Sequence, residues 1–274
     1  MIKMVAIDLD GTLYNSKKEI TEPARQALMV AIDAGLEIVI ITGRGMLGAE
    51  FALNQLGIDL PYISSAGASI RSGKGGKSIG SWPFYSPAEM EKLIGHCERF
   101  DIAMLGESTS GSMIWYGSEK RYGILDPKTR AEIELGLVSN DPRKDLDQPL
   151  LKITLGADLP LLRRTCEFME QECPSLFYVV SSHIYLDATH KQVNKGFGLL
   201  QYAAYKNVEA AEVAMIGDQE IDLMAFEVAG LSIAMENAVP AVKSAADLVA
   251  PSNDEDGVAW ALQKILSDNN NGHI

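Results

Sequence analysis

An apolar run near the start of the chain, ended by two acidic residues, constrains the fold more than any other stretch. Residues 4–7 read Met-Val-Ala-Ile, and Asp8, Asp10 and Gly11 follow within the next four positions. An unbroken apolar run is typical of a parallel strand that helices cover on both faces. Because Gly11 lets the chain turn, Asp8 and Asp10 can converge beyond the carboxyl end of this strand, where open α/β sheets place their ligands.

The two neighbouring carboxylates also predict a cation. Acidic groups this close repel each other unless a cation lies between them or one of them stays protonated. Mg²⁺ prefers oxygen ligands, and we expect it as the cofactor. The net charge of −13 disfavours nucleic acid and anionic membranes as partners. An anionic substrate therefore requires local cations from the protein.

The following segment predicts a strand–helix–strand unit. Apolar residues recur with helical spacing between residues 22 and 34, and residues 36–41 form a second apolar run. Such a unit nearly always closes as a right-handed parallel pair. Thr42 follows the second run, so we expect it to lie near Asp8 at the same edge of the sheet.

The middle of the chain predicts an inserted domain. Helical patterns there alternate with short runs typical of hairpin strands, and residues 126–149 are rich in turn formers. This mixture indicates an α+β cap domain at 82–187 that closes over the site and sets specificity. For 1–81 and 188–274 we expect an α/β fold, a Rossmann-like three-layer core with a parallel sheet, ending in a frayed tail at 269–272.

The strand–helix rhythm returns after the insertion and adds polar groups at the same edge. Lys195 begins a predicted helix, residues 213–216 predict a strand, and Asp218 and Asp222 follow that strand. A single Asp after a strand is more often a turn or cap residue. Carboxylates, a hydroxyl and an ammonium in this order instead favour phosphoryl transfer through an aspartyl-phosphate.

These segments resemble the haloacid dehalogenase superfamily of phosphohydrolases, and within it the Cof-type branch with an inserted α/β cap. The matching motifs are Asp8-Leu9-Asp10-Gly11-Thr12-Leu13, Thr42-Gly43-Arg44, Lys195-Gly196, and Gly217-Asp218 through Asp222. The resemblance implies that Asp8 is the nucleophile. It also implies that Asp10 is the acid/base, which protonates the leaving oxygen and later activates water.

The resemblance extends to the binding residues. Thr42 and Lys195 are implied to hold the phosphoryl oxygens. The other substrate-binding positions are implied to be Gly11, Gly43 and Arg44.

A Mg²⁺ site is implied in the same way. Its ligands are expected to be Asp8, the carbonyl of Asp10, and Asp218. Asp222 is expected either to orient a metal-bound water or to steady Lys195. Repulsion from Asp8 promotes the partial protonation that Asp10 needs as an acid, whereas a nearby Mg²⁺ opposes it.

Two positions depart from the family pattern, in which Asn is usual at both. Ala66 stands before Gly67, and Ile221 stands before Asp222. We expect the missing amide at Ile221 to weaken Mg²⁺ binding, because one supporting hydrogen bond is lost. The alternative is that Ile221 turns away into the helix–sheet interface.

Other motifs lack the context that their chemistry requires. Residues 43–48 read G-x-G-x-x-G, but they follow the second predicted strand, and no acidic residue ends the next one. Residues 75–78 resemble part of a P-loop, and residues 76–80 match G-x-S-x-G, without the flanking strand and helix. The three cysteines and four histidines form no C-x-x-C or H-x-x-x-H pair, so neither disulfides nor zinc are expected.

The predicted function is Mg²⁺-dependent hydrolysis of small phosphorylated metabolites, such as sugar phosphates. One alternative is a phosphomutase of the same chemistry, and another is a catalytically weak regulatory or binding protein, which the two missing amides favour. The amino-terminal run lacks the basic region of a signal peptide. We therefore expect a cytoplasmic monomer or homodimer.

Overall fold

A computed structural model of the chain describes residues 1–125, 127–134 and 136–272. Its strands are β1 (Met4–Ile7), β2 (Glu37–Ile41), β3 (Tyr62–Ser64), β4 (Ser69–Arg71), β5 (Ser78–Ser81), β6 (Ala103–Ser108), β7 (Met113–Tyr116), β8 (Leu137–Val138), β9 (Leu150–Gly156), β10 (Leu176–Val180), β11 (Tyr185–His190), β12 (Val213–Gly217), β13 (Leu231–Met235) and β14 (Leu248–Ala250). Its helices are α1 (Glu22–Asp33), α2 (Met46–Leu56), α3 (Pro87–Phe100), α4 (Glu119–Ile124), α5 (Pro127–Glu134), α6 (Pro142–Asp145), α7 (Leu159–Glu172), α8 (Lys195–Tyr205), α9 (Leu223–Phe226), α10 (Pro240–Ala245) and α11 (Gly257–Asn271). None of the helices described here is both long and apolar enough to cross a membrane.

The larger sheet has β1 near its centre. Its strand order is β14-β13-β12-β1-β2-β3-β4-β5, parallel from β14 to β3 and antiparallel beyond. The strand order reverses at β1, which pairs with β2 on one side and with β12 on the other. Open α/β sheets bind ligands at such a reversal of strand order.

The side chains of β1 alternate between two hydrophobic clusters, one on each face of the sheet. Val5 and Ile7 pack with α1, α2 and α11 on one face. Met4 and Ala6 pack with α8, α9 and α10 on the other face. All four side chains are fully buried. The predicted α/β core of three layers is confirmed.

A second sheet lies between β5 and α8 in the chain. Its order is β10-β11-β9-β6-β7-β8, and its pairs are antiparallel except for β7 with β8. Helices α3 and α7 cover one face of this sheet with a hydrophobic cluster that includes Leu93 and Leu162. We call this inserted α+β unit the cap. The expected boundary at residue 187 falls within β11, which pairs in the cap sheet as far as His190.

The region 126–149 contains more regular structure than its turn-rich composition predicts. It includes α5, β8 and α6, although residues 126 and 135 lie outside the described part of the chain. The Asp141 carboxylate accepts a hydrogen bond from the Lys144 N–H at 3.4 Å and caps α6. Elements this short show no periodic pattern, so sequence periodicity does not reveal them.

The prediction of a frayed tail at 269–272 is wrong for most of its length, because α11 continues to Asn271. The Asn269 amide donates to the Ile2 carbonyl at 2.8 Å. The Ile2 N–H donates back to Asn269 Oδ1 at 2.9 Å. Two hydrogen bonds to Ile2, just before β1, therefore hold the end of the helix in place.

Helix α8 packs closely against the turn that follows β3. A Cβ atom on Gly198 would lie 2.8 Å from both Gly67 Cα and Ile63 Cγ2. Gly67 has a φ of +107°, and its own Cβ would lie 2.1 Å from the carbonyl oxygen of Asn194. Because Asn194 caps α8, these glycines hold the first turn of the helix, with Lys195, against the sheet edge.

We expect Gly198→Ala to destabilise the fold by about 1–3 kcal/mol, because the added methyl group overpacks this contact. Gly95→Ala in α3 is the matched control, since no atom lies within 4 Å of its Cβ position. The control should be stabilising by about 0.5–1 kcal/mol, the difference in helix propensity. Denaturant unfolding measures both, and similar free-energy changes in the two variants would contradict close packing at Gly198.

Candidate active site

The carboxyl edge of the core sheet brings together side chains that are distant in the sequence. Asp8 follows β1, Thr42 follows β2 and Asp218 follows β12, and these strands are neighbours. All three side chains are buried. Lys195 enters the same edge from the first turn of α8. The structure thus places the nucleophile, hydroxyl, ammonium and metal-binding carboxylate expected from the sequence in one site.

Lys195 forms two short ion pairs inside this site. Its Nζ donates to Asp8 Oδ1 at 2.6 Å and to Asp222 Oδ1 at 2.5 Å. Only 1 % of the lysine side chain is exposed. Burial disfavours the ammonium, but the carboxylates of Asp222 and Asp8 outweigh it and raise the pKa of Lys195 above its ordinary value. Lys195 is therefore a constant positive charge between two acids.

Asp222 holds Lys195 and also fixes the turn after β12. Its Oδ2 accepts hydrogen bonds from the N–H groups of Asp218 and Gln219, each at 3.0 Å. Its side chain also packs against Gly217, where a Cβ would lie 2.6 Å from Asp222 Cγ. Of the two roles expected for Asp222, its observed contacts match the one in which it steadies Lys195.

Burial and mutual repulsion shift the pKa values of the acids. Burial raises the pKa of Asp8 well above its usual range, Lys195 opposes this, and Asp222 and Asp218 add repulsion. Burial, followed by repulsion from Asp222, raises the pKa of Asp218 to about 7. A hydrogen bond from the Thr12 hydroxyl to Asp218 Oδ1 at 3.1 Å offsets part of that shift. Lys195 alone therefore does not offset the effects that disfavour ionisation of Asp8 and Asp218.

The acidic cluster fits the expected metal. Oxygen atoms of Asp8, Asp218 and Asp222 lie within 4.8 Å of one another. Carboxylate oxygens are the ligands that Mg²⁺ prefers, and a divalent cation relieves the repulsion between them. Gly11 permits this close approach, because a Cβ there would lie 2.3 Å from Asp218 Oδ2. Its φ of +82° also favours glycine.

The Asp10 carboxylate forms ion pairs outside this cluster. Lys18 Nζ donates to Asp10 Oδ1 at 2.9 Å, and Arg44 Nε donates to Oδ2 at 2.5 Å. A second Arg44 nitrogen donates to Oδ1, and the guanidinium lies 4.8 Å from the ring centroid of Tyr14. The expected part of Asp10 in metal binding therefore depends on its backbone carbonyl. These ion pairs did not follow from the sequence motifs.

The loop after β2 is fixed to the turn after β3. The N–H groups of Ser65 and Ala66 donate to the carbonyls of Arg44 and Thr42 at 2.7 and 3.2 Å, respectively. The Thr42 hydroxyl accepts a hydrogen bond from the Arg44 N–H at 3.1 Å. That bond leaves the hydroxyl hydrogen of Thr42 available to a phosphoryl oxygen.

The two positions where the family usually has Asn have different surroundings. Ala66 is in the left-handed conformation, with φ 55° and ψ 31°, which Asn adopts more easily than Ala. Ile221 Cδ1 lies 3.5 Å from the point that a Cβ on Gly43 would occupy. Among the described residues, neither hydrophobic cluster flanking the core sheet includes Ile221. Ile221 therefore faces the loop after β2 rather than the helix–sheet interface.

Polar side chains from the cap also reach this edge, and the motifs do not predict them. These residues are Glu107, Lys152, Thr154 and Asp187, all of them buried. Lys152 Nζ donates to the Gly43 carbonyl at 2.5 Å, so the cap contacts the loop that holds Thr42. A lysine inside the otherwise apolar run of β9 is the signal in the sequence that marks this contact.

The family model of the haloacid dehalogenase-like hydrolases matches residues 5–262 of this sequence. The chain therefore belongs to the haloacid dehalogenase-like hydrolases. The match spans both parts of the core and the cap between them. The predicted resemblance, Cof-type branch included, is confirmed.

Two phosphatases from Bacillus subtilis are similar over nearly their whole length. The 5-amino-6-(5-phospho-D-ribitylamino)uracil phosphatase YwtE is 27% identical over 292 residues, covering 97% of this chain and 99% of the relative. Phosphatase YwpJ is 27% identical over 296 residues, covering 97% of this chain and 100% of the relative. Together with the family membership, these relatives confirm the predicted enzyme class, a phosphatase.

Solved structures with the same fold include the cap. A haloacid dehalogenase-like hydrolase from B. subtilis has a TM-score of 0.83 and 25% identity, covering 96% of this chain and 99% of that one. A haloacid dehalogenase-like hydrolase from Bacteroides thetaiotaomicron has a TM-score of 0.80 and 26% identity, covering 97% and 100%. The fold class predicted from the sequence is confirmed by both.

We expect Mg²⁺ to stabilise the protein more at about pH 8 than at about pH 6. Without metal, the contribution of Asp218 to stability should fall as the pH rises from about 4 to 7, because its carboxyl ionises freely only when unfolded. Above that pH the ionised carboxylate is available to the metal, and Mg²⁺ at about 100 times its Kd should add about 2.7 kcal/mol.

Thermal melts with and without Mg²⁺ at both pH values measure this difference. Asp218→Asn is the control, because the amide keeps the size of the side chain and removes its charge. The control should lose most of the Mg²⁺-dependent shift in Tm. A shift that is the same in the wild type and the control would exclude Asp218 as a ligand.

Proposed function

We propose that the protein hydrolyses phosphomonoesters of small hydroxylated metabolites, with Mg²⁺ bound and through an aspartyl-phosphate on Asp8. The observation that carries this proposal is the buried ion pair of Asp8 with Lys195, 2.6 Å apart, beside Asp218 and Asp222. An oriented carboxylate, a fixed ammonium and ligands for a divalent cation are the groups that phosphoryl transfer uses.

The reaction proceeds in two steps. In the first, an Asp8 carboxylate oxygen bonds to phosphorus while the bond to the leaving oxygen breaks, and Asp10 gives that oxygen a proton. In the second, water attacks phosphorus, Asp10 takes its proton, and the bond from Asp8 to phosphorus breaks. The products are an alcohol and inorganic phosphate, and Thr42 and Lys195 hold the phosphoryl oxygens in both steps.

Asp8, the Asp10 carbonyl and Asp218 would hold Mg²⁺, which would supply positive charge to offset the repulsion between the phosphate and the nucleophile. Asp10 has to leave its ion pairs with Lys18 and Arg44 before it can reach the leaving oxygen. Its side chain is 41 % exposed, so these ion pairs are partly screened by water. The same movement frees the guanidinium of Arg44 for the substrate.

The relatives support a hydroxylated substrate. The name of YwtE describes a phosphorylated ribitylamino compound, in which the ribityl chain bears hydroxyl groups. The acidic chain, with a net charge of −13, is suited to a small anion held by specific cations rather than to a polyanion. We also propose a cytoplasmic location and a monomeric or homodimeric state.

Release of inorganic phosphate tests the proposed reaction. The substrates are p-nitrophenyl phosphate and a panel of phosphorylated sugars and polyols, each with Mg²⁺ and with a chelator. Phosphate release that stops with the chelator supports the proposal. Transfer to a second sugar hydroxyl without free phosphate would identify a phosphomutase, and no turnover of any substrate would favour a binding protein.

Asp8→Asn and Asp10→Asn should change the kinetics in different ways. Asp8→Asn should lower kcat by a factor on the order of 10³ or more, because the amide does not attack phosphorus. Asp10→Asn should slow alkyl phosphates more than p-nitrophenyl phosphate, whose leaving group needs no proton. Steady-state kinetics with both substrates measure this; equal losses for both substrates in Asp10→Asn would count against the acid/base role.

Lys195→Met should lower kcat/KM by about 10² or more, because it removes a buried charge that stabilises the transition state. The control is Lys206→Met at the other end of α8, where the lysine is 36 % exposed and pairs with Glu37 at 2.9 Å. That variant should keep its kcat/KM. Far-ultraviolet circular dichroism of both variants confirms folding, and normal kcat/KM in folded Lys195→Met would overturn the role.

A further inference from the structure

One face of the cap sheet carries a row of buried polar side chains that point towards the core. On β6, β9 and β11, alternate residues pack beneath α3 and α7, among them Met104, Ile153 and Leu186. The intervening residues point to the opposite face, because side chains alternate along a strand. Pairing between the strands sets Glu107 beside Lys152, and Thr154 beside Asp187.

Glu107 is fully engaged by the core. Its Oε1 accepts a hydrogen bond from the Met46 N–H at 2.9 Å, at the start of α2. Its Oε2 accepts one from the Ser65 hydroxyl at 2.7 Å. None of its surface is exposed. This carboxylate therefore joins the cap to the core and has no oxygen without a donor.

Asp187 differs from Glu107 in this respect. Its Oδ1 accepts a hydrogen bond from the Thr154 hydroxyl at 2.5 Å and lies 3.3 Å from Lys152 Nζ. Within the described chain, no residue donates a hydrogen bond to its Oδ2. The side chain is only 7 % exposed. Unlike the Ser64 hydroxyl, this oxygen is not sealed from solvent, so it can accept a hydrogen bond from a bound molecule.

The position of this free oxygen indicates the donor. Asp187 Oδ2 lies 3.6 Å from the point that a Cβ on Gly43 would occupy, and Ile221 Cδ1 lies 3.5 Å from the same point. Gly43 immediately follows Thr42, which we propose holds the phosphoryl group. The free oxygen therefore lies where the cap meets the loop after β2, next to the proposed site of the phosphoryl group.

We propose that Asp187 is a specificity-determining residue, whose Oδ2 accepts a hydrogen bond from a hydroxyl group of the leaving alcohol. Lys152 and Thr154 are positioning residues that fix the other oxygen, while Ile221 lies near the same loop with an apolar surface. A buried polar group built for a substrate hydroxyl discriminates strongly against an analogue that lacks it. This inference rests on the proposed function, since it assigns the part of the substrate that is not phosphate.

The test compares ribitol 5-phosphate with n-pentyl phosphate, which has the same chain length and no hydroxyl groups. Wild-type kcat/KM should favour ribitol 5-phosphate by at least about 10-fold, the effect of one hydrogen bond to a charged group. Asp187→Asn and Asp187→Ala should reduce this preference by about 10-fold or more. Turnover of n-pentyl phosphate and p-nitrophenyl phosphate should fall less than turnover of ribitol 5-phosphate.

Glu107→Gln is the matched control, because it alters another buried carboxylate of the same cap face. Any loss it causes should be equal for ribitol 5-phosphate and n-pentyl phosphate, since Glu107 contacts the core. Melting curves of all variants separate unfolding from a change in preference. Equal losses for both substrates in the Asp187 variants, or no loss, would overturn the role of Asp187.

Calorimetric binding in the Asp8→Asn background makes the result independent of turnover. There ribitol 5-phosphate should bind more tightly than n-pentyl phosphate, and adding Asp187→Asn should remove most of that difference. Failure of the wild type to hydrolyse even p-nitrophenyl phosphate would reject the proposed function. The two binding constants would still decide whether Asp187 recognises a hydroxyl group, and equal constants would reject it.

Discussion

The arrangement of the core depends on the buried ion pairs that the Lys195 ammonium forms. Charged groups are stable away from water only when they are paired and hydrogen-bonded, and Lys195 meets Asp8 and Asp222 at 2.6 and 2.5 Å. Those three residues belong to α8, the turn after β1 and the turn after β12. Helix α8 must therefore lie close to the sheet, and the glycine contacts at Gly67 and Gly198 permit it.

The same charges explain why the site needs a cation beyond its own lysine. One ammonium faces three buried carboxylates whose oxygens lie within 4.8 Å of one another. The Asp10 carboxylate is kept apart from this cluster by Lys18 and Arg44. Its separation limits the repulsion in the protein without substrate.

The sequence predicts the parts of the site that lie next to regular strands. Asp8, Thr42 and Asp218 each follow an apolar run, and parallel strands end at a common edge, so their convergence follows from local patterns. The ion pairs of Asp10 do not follow in this way, because they depend on side-chain directions within loops. The contact of Asn269 with Ile2 is also hidden, since it joins residues 267 positions apart.

The cap residues are the part of the site that sequence reasoning misses. Glu107, Lys152 and Asp187 come from separate strands of the insertion, and only the pairing register of β6, β9 and β11 brings them to one face. Each is a single charged residue in its strand segment, without a motif of its own. A register shift of one residue would move it to the opposite face. Their position is thus decided by sheet pairing, which no local pattern encodes.

The contacts between cap and core have a consequence for how such enzymes diversify. Lys152 binds the carbonyl of Gly43 and Glu107 binds the N–H of Met46, so each of these two cap residues contacts a backbone atom of the core. A backbone atom remains when the side chain at its position is replaced. The core can therefore change its side chains around the site, and a cap can be exchanged between related cores, while these two attachment points persist.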